Sequence, residues 1–140
     1  MAQLKCIVVT PESMVLDQAA DFVALPLFDG ELGIAPLHTP LIGRLGFGEL
    51  RITLGSQTTK YYVDGGFVQV ADDVVSILTN RAVPAQQLSV ATASEQLAAA
   101  RHRQANNDEL LAIRDRLEAQ ARAQLRVARH ATHSSPAAHH

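Results

Sequence analysis

Six histidines are the residues of this chain best suited to bind a metal ion or transfer a proton. His130 and His133 lie three positions apart, and His139 and His140 follow them closely. No cysteine or carboxylate cluster accompanies them to complete the ligand set of a zinc site. His38 lies in a segment typical of a loop, which favours a surface or interface residue over a catalyst. The histidines therefore predict neither a metal site nor a catalytic base.

Motifs for phosphate binding and for a nucleophilic serine are also absent from the sequence. It contains neither G-x-x-x-x-G-K-[ST] nor G-x-S-x-G, which position a phosphate and a reactive hydroxyl respectively. Gly43, Gly46 and Gly48 are clustered, but their spacing does not match a dinucleotide-binding fingerprint. We expect these glycines to serve turns and close backbone contacts. The sequence predicts no catalytic residue, no nucleotide site and no cofactor.

Charge is divided unevenly along the 140 residues, although the formal net charge is only −2. Residues 1–84 contain five Lys and Arg against nine Asp and Glu, whereas residues 85–140 contain seven against five. The near-neutral total argues against a nucleic-acid partner, which would require a strong basic excess. The asymmetry indicates two parts with different partners.

Residues 1–84 have the composition of a β-sheet domain. Short runs rich in β-branched residues alternate with Gly, Pro and Asp, and all eight glycines precede residue 67. The predicted strands are residues 4–10, 49–54, 58–63, 67–70 and 74–78, and Asp64-Gly65-Gly66 is expected to break the chain between two of them. Residues 20–27 form a further apolar run, which is expected to be broken at Pro26. Turn signals at roughly ten-residue intervals favour an all-β sandwich or barrel.

Residues 85–130 have the composition of helices, since alanine, glutamine and arginine replace glycine after Pro84. Thr92 and Glu95 fit a capping box at the start of a first helix that ends near residue 104, with an earlier start near Leu88 as the alternative. The apolar face of this helix is thin and consists of Ala93, Leu97 and Ala100.

A second helix is predicted to follow the break at Asn106-Asn107-Asp108, with Asn107 or Asp108 as its cap. It carries an apolar stripe at Leu110, Ile113, Leu117, Ala121, Leu125 and Ala128. The short break predicts an antiparallel two-helix hairpin. Residues 131–140 are expected to form a disordered tail. The arginines of the second helix form either a solvated face or a docking face for an acidic partner.

Cys6 is the only cysteine, so no internal disulfide is possible and a reducing compartment is expected. The longest apolar stretch, residues 22–28, is about seven residues, against the roughly 20 that a membrane-spanning helix needs. The first residues resemble neither a signal peptide nor a transit segment. We therefore expect a cytosolic chain that reaches a membrane only through a partner. The residues alone indicate a non-enzymatic β-sandwich with an Arg-faced helical hairpin that is built for contact, and a stand-alone β-sandwich protein-binding module with a helical tail is one interpretation of it.

Three segments carry a resemblance to a known family. They are GELGIAPLHTPL at residues 30–41, GELRI at 48–52, and the segment 63–78, which begins with VDGGFVQV. Together they resemble the epsilon subunit of F-type ATP synthases over nearly the whole chain up to about residue 130. The resemblance implies an N-terminal β-sandwich and a C-terminal two-helix hairpin. It also implies a non-catalytic rotor subunit of the central stalk, which couples proton flow to ATP synthesis.

The resemblance further implies partners for named residues. Glu31, Leu32 and Gly33 occupy the family's G-E-L-G loop, which faces the ring of c subunits, and His38 occupies the loop histidine near the gamma subunit. By charge, five arginines become candidates to meet an acidic segment of the beta subunits of the alpha/beta head: Arg114, Arg116, Arg122, Arg126 and Arg129. The implied location is the cytoplasmic face of a bacterial plasma membrane, held there through the complex.

One departure from the family concerns nucleotide binding. Members that bind ATP carry Leu/Ile-Asp-x-x-Arg-Ala where the hairpin begins, whereas here Ser89 replaces the acid and Thr92 replaces the arginine. Gln120 and Gln124 stand where those members place arginines. Because loss of these cations removes the phosphate clamp, we expect no ATP binding.

Overall fold

The computed structural model describes residues 2–133, with side chains up to residue 131, and it contains two compact units. The first unit is Met1–Val83, and the second begins at Pro84. The strands are β1 Leu4–Val9, β2 Met14–Ala20, β3 Phe22–Leu27, β4 Gly30–Ile34, β5 Leu41–Leu54, β6 Gln57–Ala71, β7 Val74–Leu78 and β8 Ala82–Pro84. A short 3-10 helix at Ala85–Gln87 precedes α1 Val90–Arg101 and α2 Asp108–His133.

The eight strands form one hydrogen-bonded sheet in the order β2-β1-β7-β6-β5-β3-β4, with β8 paired to β6. β1 and β7 are parallel, and the other neighbours along this path are antiparallel. Although three strands separate β2 from β5 in this order, the two are in contact. The sheet therefore folds over on itself into the two layers of a sandwich, as the sequence predicts.

One cluster of buried side chains fills the space between the layers, and strands β1 to β7 all contribute to it. Its largest fully buried members are Leu4, Leu25, Ile34, Leu50, Ile52 and Ile77. Cys6 belongs to this cluster, and burial raises the pKa of its thiol to about 12. The cysteine is thus a buried and protonated core residue.

Glycines let β6 bend where the sequence analysis expected it to end. The predicted break at Asp64-Gly65-Gly66 is wrong, because β6 keeps its register with β5 from Asp64 opposite Phe47 to Gly66 opposite Leu45. Gly66 has a φ of +109°, and a Cβ there would overlap the carbonyl oxygen of Leu78. The glycine pair therefore admits a close backbone crossing while the ladder continues.

Strand β5 is likewise much longer than the predicted residues 49–54, and its glycines again allow close contacts. A Cβ at Gly46 would lie 2.8 Å from the carbonyl oxygen of Leu27, and one at Gly48 would lie 3.0 Å from Cβ of Pro26. The register between β3 and β5 shifts in this region. These glycines thus serve close contacts within long strands, as expected, but they do not form turns.

Two further boundaries differ from prediction. Residues 20–27 are not one strand, because Asp21 separates β2 from β3 and its backbone N–H donates to the Thr53 carbonyl at 2.7 Å. The G-E-L-G segment is strand β4 rather than a loop, since it pairs with β3 with Leu32 opposite Leu25. β2, β4 and β8 were not predicted as separate strands, because pairing partners rather than local composition define them.

The first helix begins at the earlier of the two expected starts, near Leu88, and the predicted capping box at Thr92 and Glu95 is wrong. Ser89 is the N-cap of α1, and its side chain accepts from the N–H of Thr92 at 3.2 Å, so Thr92 lies inside the helix. The first helix ends at Arg101 rather than near residue 104. The cap of α2 is as predicted, since Oδ1 of Asn107 accepts from the N–H of Leu110 at 2.8 Å.

The two helices pack through a small apolar cluster of Ala93, Leu97, Ala121 and Leu125, with Val90 at its edge. The predicted stripe on α2 is only partly buried, since Ile113 is 40% exposed whereas Ala128 is buried. α2 continues to His133, three residues into the segment predicted to be a disordered tail. Residues 134–140 of that segment lie outside the described residues.

Candidate functional site

Glu31 belongs to a charged cluster on the outer surface of the sandwich, and Arg51 is the centre of this cluster. Both of its carboxylate oxygens accept from the Arg51 guanidinium, Oε1 from Nη2 at 2.8 Å and Oε2 from Nη1 at 3.1 Å. Nη1 of Arg51 also donates to Oε1 of Glu49 at 3.1 Å. The hydrogen bonds from Arg51 hold the pKa of Glu31 below its usual range. The three side chains form the Glu31–Arg51–Glu49 triad.

Leu32 and Gly33 continue β4 beside this triad. Leu32 is half-buried and packs on the sandwich core. A Cβ at Gly33 would lie 2.6 Å from Cζ of Phe22, so glycine allows the Phe22 ring to lie across the strand. Glu31 and Gly33 are exposed and alternate with Leu32 along the strand. The three predicted contact residues therefore form a rigid strand edge and not a flexible loop.

His38 lies in the loop between β4 and β5. It is half-buried, and its Nδ1 lies 2.7 Å from the carbonyl oxygen of Thr39. The neighbouring Leu37 has a φ of +68° and is 85% exposed, and its N–H donates to Oδ1 of Asp73 at 2.6 Å. This bond ties the loop to the turn between β6 and β7, so a large apolar side chain is held outward beside His38.

An exposed row crosses five strands of the sandwich, and the sequence analysis did not identify it. Directly paired residues in register lead from Met14 to Val9, Leu78, Phe67 and Arg44. Phe28 completes the row, since its ring lies 4.7 Å from the Arg44 guanidinium carbon. Directly opposite residues share one face of a sheet, and Phe67 is 59% exposed. The signal in the sequence was a set of large apolar residues at outward positions.

This exposed row (Met14, Val9, Leu78, Phe67, Arg44 and Phe28) has the length of a protein contact. Measured along the sheet, four strand spacings correspond to about 19 Å. A row of large apolar side chains at outward positions favours an interaction site over a solvated face. Arg44 is the only charged member, and the Phe28 ring covers its guanidinium group.

The arginines of α2 fall into two groups. Arg114 and Arg122 lie near Glu118, with the closest nitrogen–oxygen pairs at 3.9 Å and 3.5 Å. No ion pair joins Arg116, Arg126 or Arg129 to another described residue, and all three are exposed. The acidic residues of α2 lie in its first half together with Arg114 and Arg116, whereas Arg122, Arg126 and Arg129 lie in its second half, where the helix dipole favours cations. The structure thus places the five arginines on one helix but not in one cluster.

The described residues contain neither a cluster of metal ligands nor a helix suited to span a membrane. No group of three or more His, Cys, Asp or Glu side chains that could hold a metal ion occurs in that part of the chain. Neither described helix combines the length and the apolarity needed to cross a membrane. His130 is exposed on α2, whereas the side chain of His133 and the whole of His139 and His140 lie outside the description.

Comparison with known proteins decides the family. Residues 3–85 match the family model described as "ATP synthase, Delta/Epsilon chain, beta-sandwich domain". The ATP synthase epsilon chain of Rhodopirellula baltica is 49% identical over 126 residues, which cover 90% of this chain and 98% of that protein. The chain belongs to the ATP synthase epsilon chain family. The epsilon chain of Granulibacter bethesdensis is 35% identical over 93% of this chain and 100% of its own length.

Solved structures agree with this family at the level of fold. A chain from the cryo-EM structure of Euglena gracilis mitochondrial ATP synthase, titled "OSCP/F1/c-ring in rotational state 1", matches with a TM-score of 0.74. The match covers 100% of this chain and 83% of that chain at 23% identity. Membership in the epsilon family, as a subunit of the synthase complex, decides against a stand-alone binding module.

Proposed function

We propose that this chain is a non-catalytic rotor subunit in the central stalk of a proton-translocating F-type ATP synthase. In this role it couples proton flow to ATP synthesis, and its C-terminal helices regulate ATP hydrolysis. The exposed row on the sandwich carries the proposal, because it gives the chain a firm grip on a second protein. A subunit that transmits torque needs such a grip, whereas it needs no reactive side chain.

The gamma subunit is the proposed partner of the exposed row and of the neighbouring His38 loop. Phe28, Phe67 and Leu78 supply the apolar area from which most binding free energy arises. Leu37, held outward beside His38, adds a further anchor. Because Phe67 and Leu78 lie on paired strands, their backbone is already ordered before docking, and only their side chains lose conformational entropy.

The c ring is the proposed partner of Glu31, Leu32 and Gly33. Glu31 offers an ionised carboxylate on a strand edge, and beside it the partly exposed Phe22 ring, which lies across Gly33, offers an apolar surface. Through this contact the chain is peripheral to a membrane, and we propose the cytoplasmic face of a bacterial plasma membrane as its location.

The five arginines of α2 are the proposed contact to an acidic segment of the beta subunits in the alpha/beta head. Arg116, Arg126 and Arg129 are exposed, and no described ion pair satisfies them, so they remain available to carboxylates. Arg114 and Arg122 would have to give up their contacts with Glu118 before they could bind carboxylates of the partner. A hairpin whose helices share only a small apolar cluster can open at low cost, as a regulatory switch requires.

Absence of ATP binding remains part of the proposal. The Ser89 hydroxyl is engaged as the helix cap, and Thr92 supplies no cation. Gln124 is buried, and Gln120 is half-buried, so neither replaces an arginine clamp. Calorimetry with ATP should detect no binding to the isolated chain at millimolar concentration.

Copurification of gamma with the full-length chain tests the main contact. Phe67→Glu should abolish copurification, because it places a charge at the centre of the exposed row. Leu54→Glu, at a partly exposed position near the turn between β5 and β6, is the matched control and should retain gamma. Equal retention by the two variants would contradict the proposed contact.

Truncation after Pro84 tests the proposed regulatory role of the helices. It should leave assembly intact and raise ATP hydrolysis, and unchanged hydrolysis would refute an inhibitory hairpin.

A further inference from the structure

We propose that Arg51 is the positioning residue of the c-ring contact and that the ring contributes one cationic side chain to Glu31. This inference rests on the proposed contact of residues 31–33 and adds to it a second residue and the chemistry of the partner. Its basis is the geometry of the Glu31–Arg51–Glu49 triad, none of whose arginine contacts was evident from the sequence.

The orientation of the Glu31 carboxylate is fixed by two parallel hydrogen bonds from one planar group. Nη1 and Nη2 of Arg51 each donate to a different oxygen, at 3.1 Å and 2.8 Å. A two-pronged pair of this kind constrains both the distance and the plane of the carboxylate, whereas a single ammonium constrains only the distance.

Arg51 is itself held in place from a second side. Its Nη1 donates to Glu49 on the same strand at 3.1 Å. The Glu49 side chain is 11% exposed, so this bond lies in a partly desolvated setting where it is stronger than at an open surface. Glu49 thus anchors the guanidinium, and the guanidinium in turn orients Glu31.

The strand arrangement explains why an arginine is needed at this position. β3 lies between β4, which carries Glu31, and β5, which carries Arg51. The pair therefore reaches across a whole strand, a backbone separation of about 10 Å for two strand spacings. A long side chain with several donors bridges this gap and still holds both carboxylates, whereas lysine has a single donor group.

The charge of the triad predicts the chemistry of its partner. Two carboxylates and one guanidinium leave a net charge of −1 on the triad itself, and Lys60 stands directly opposite Arg51 on the neighbouring strand. The Glu31 side chain is 55% exposed whereas those of Arg51 and Glu49 are 31% and 11% exposed, so the acceptor available to a partner is Glu31. About half of its lone-pair sites remain free after the two bonds from Arg51. One arginine or lysine of the c-ring loop would supply the donor that this exposed carboxylate can still accept from.

Titration of a complex of gamma with the full-length chain onto purified c ring in detergent tests this inference. Arg51→Gln should weaken binding about tenfold, the effect of one charge-assisted hydrogen bond. Arg51→Lys should weaken binding nearly as much, because lysine keeps the positive charge but cannot donate two parallel hydrogen bonds from one planar group to the Glu31 carboxylate. Lys5→Gln, which breaks the 3.6 Å ion pair of Lys5 with Asp17 elsewhere on the sandwich, is the matched control and should bind as wild type.

Three outcomes separate the possible failures. If Glu31→Gln weakens binding but Arg51→Lys binds as wild type, only charge matters and the positioning role of Arg51 is wrong. If Glu31→Gln binds as wild type, the proposed c-ring contact of the function itself is wrong. The cationic partner predicts that raised salt weakens wild-type binding and has little effect on Glu31→Gln, since salt screens exposed charges; an equal salt response of both would refute it. Unchanged thermal unfolding of Arg51→Lys confirms that its effect on binding is not due to unfolding.

Discussion

Leu97→Ala should loosen the helical hairpin while leaving the sandwich intact. Leu97 is 8% exposed and is one of two leucines in the small cluster that joins α1 to α2. Truncation of a buried leucine to alanine costs about 2 to 5 kcal/mol, depending on how far the site can collapse. Because Leu97 lies among alanines at a partly open cluster, we expect the lower end, about 2 kcal/mol.

A loss of about 2 kcal/mol raises the population of the opened hairpin about 30-fold. Native-state hydrogen exchange followed by mass spectrometry measures this directly in the full-length chain. Peptides from residues 90–101 and 108–131 should exchange about 30-fold faster, whereas peptides from β6 should keep their wild-type protection. Leu111→Ala is the matched control, because Leu111 is 37% exposed and lies outside the cluster.

Two results would contradict this reasoning. Equal loss of protection in β6 would mean that the hairpin and the sandwich open as one cooperative unit. Equal effects of Leu97→Ala and Leu111→Ala would mean that the cluster does not hold the helices together. Either result would also remove the physical basis for a hairpin that opens at low cost.

Three further predictions concern single positions. Gly66→Ala should destabilise the sandwich by about 3 kcal/mol or more, because the new Cβ would overlap the Leu78 carbonyl oxygen. Gly55→Ala is its control and should cost about 1 kcal/mol, because Gly55 has a positive φ but open space around it. Equal melting temperatures of the two variants would contradict the predicted overlap. Ser89→Ala should destabilise α1 by about 1 kcal/mol whereas Thr92→Ala should have little effect, as read by hydrogen exchange of α1; the reverse order would restore the capping box expected from the sequence. Arg51 lowers the pKa of Glu31, so the pair stabilises the fold above the unfolded pKa of about 4.3, and this contribution is lost as the pH falls through the lower folded value. In Arg51→Gln the carboxyl carbon of Glu31 should therefore titrate at higher pH by NMR, and an unchanged midpoint would contradict the assigned cause.

Local signals in the sequence were sufficient for the class of each unit. β-branched runs punctuated by glycine predicted the sandwich, and the recurrence of Leu97, Ala121 and Leu125 at helical spacing predicted residues that join the two helices. The cap at Asn107 was also predicted, because a cap is a contact between residues three positions apart. These features depend on neighbours in sequence, so they can be inferred without the fold.

Features that depend on distant residues were missed or misassigned. Asp64-Gly65-Gly66 looked like a chain break, but pairing with β5 carries β6 through it. The G-E-L-G segment looked like a loop, but pairing with β3 makes it a strand. Glycine at these positions reports a close approach of another backbone, and the sequence does not say which backbone that is.

The sequence by itself determined the family, the sandwich and the hairpin, because periodicity, composition and the G-E-L-G-I string are local. Only the tertiary structure decided what surrounds each proposed contact residue. It brought Arg51 and Glu49 to Glu31 across an intervening strand, and it aligned Met14, Val9, Leu78, Phe67 and Arg44 into one exposed row. Such neighbours are set by strand register and sheet order, which bring together side chains that are far apart in the chain.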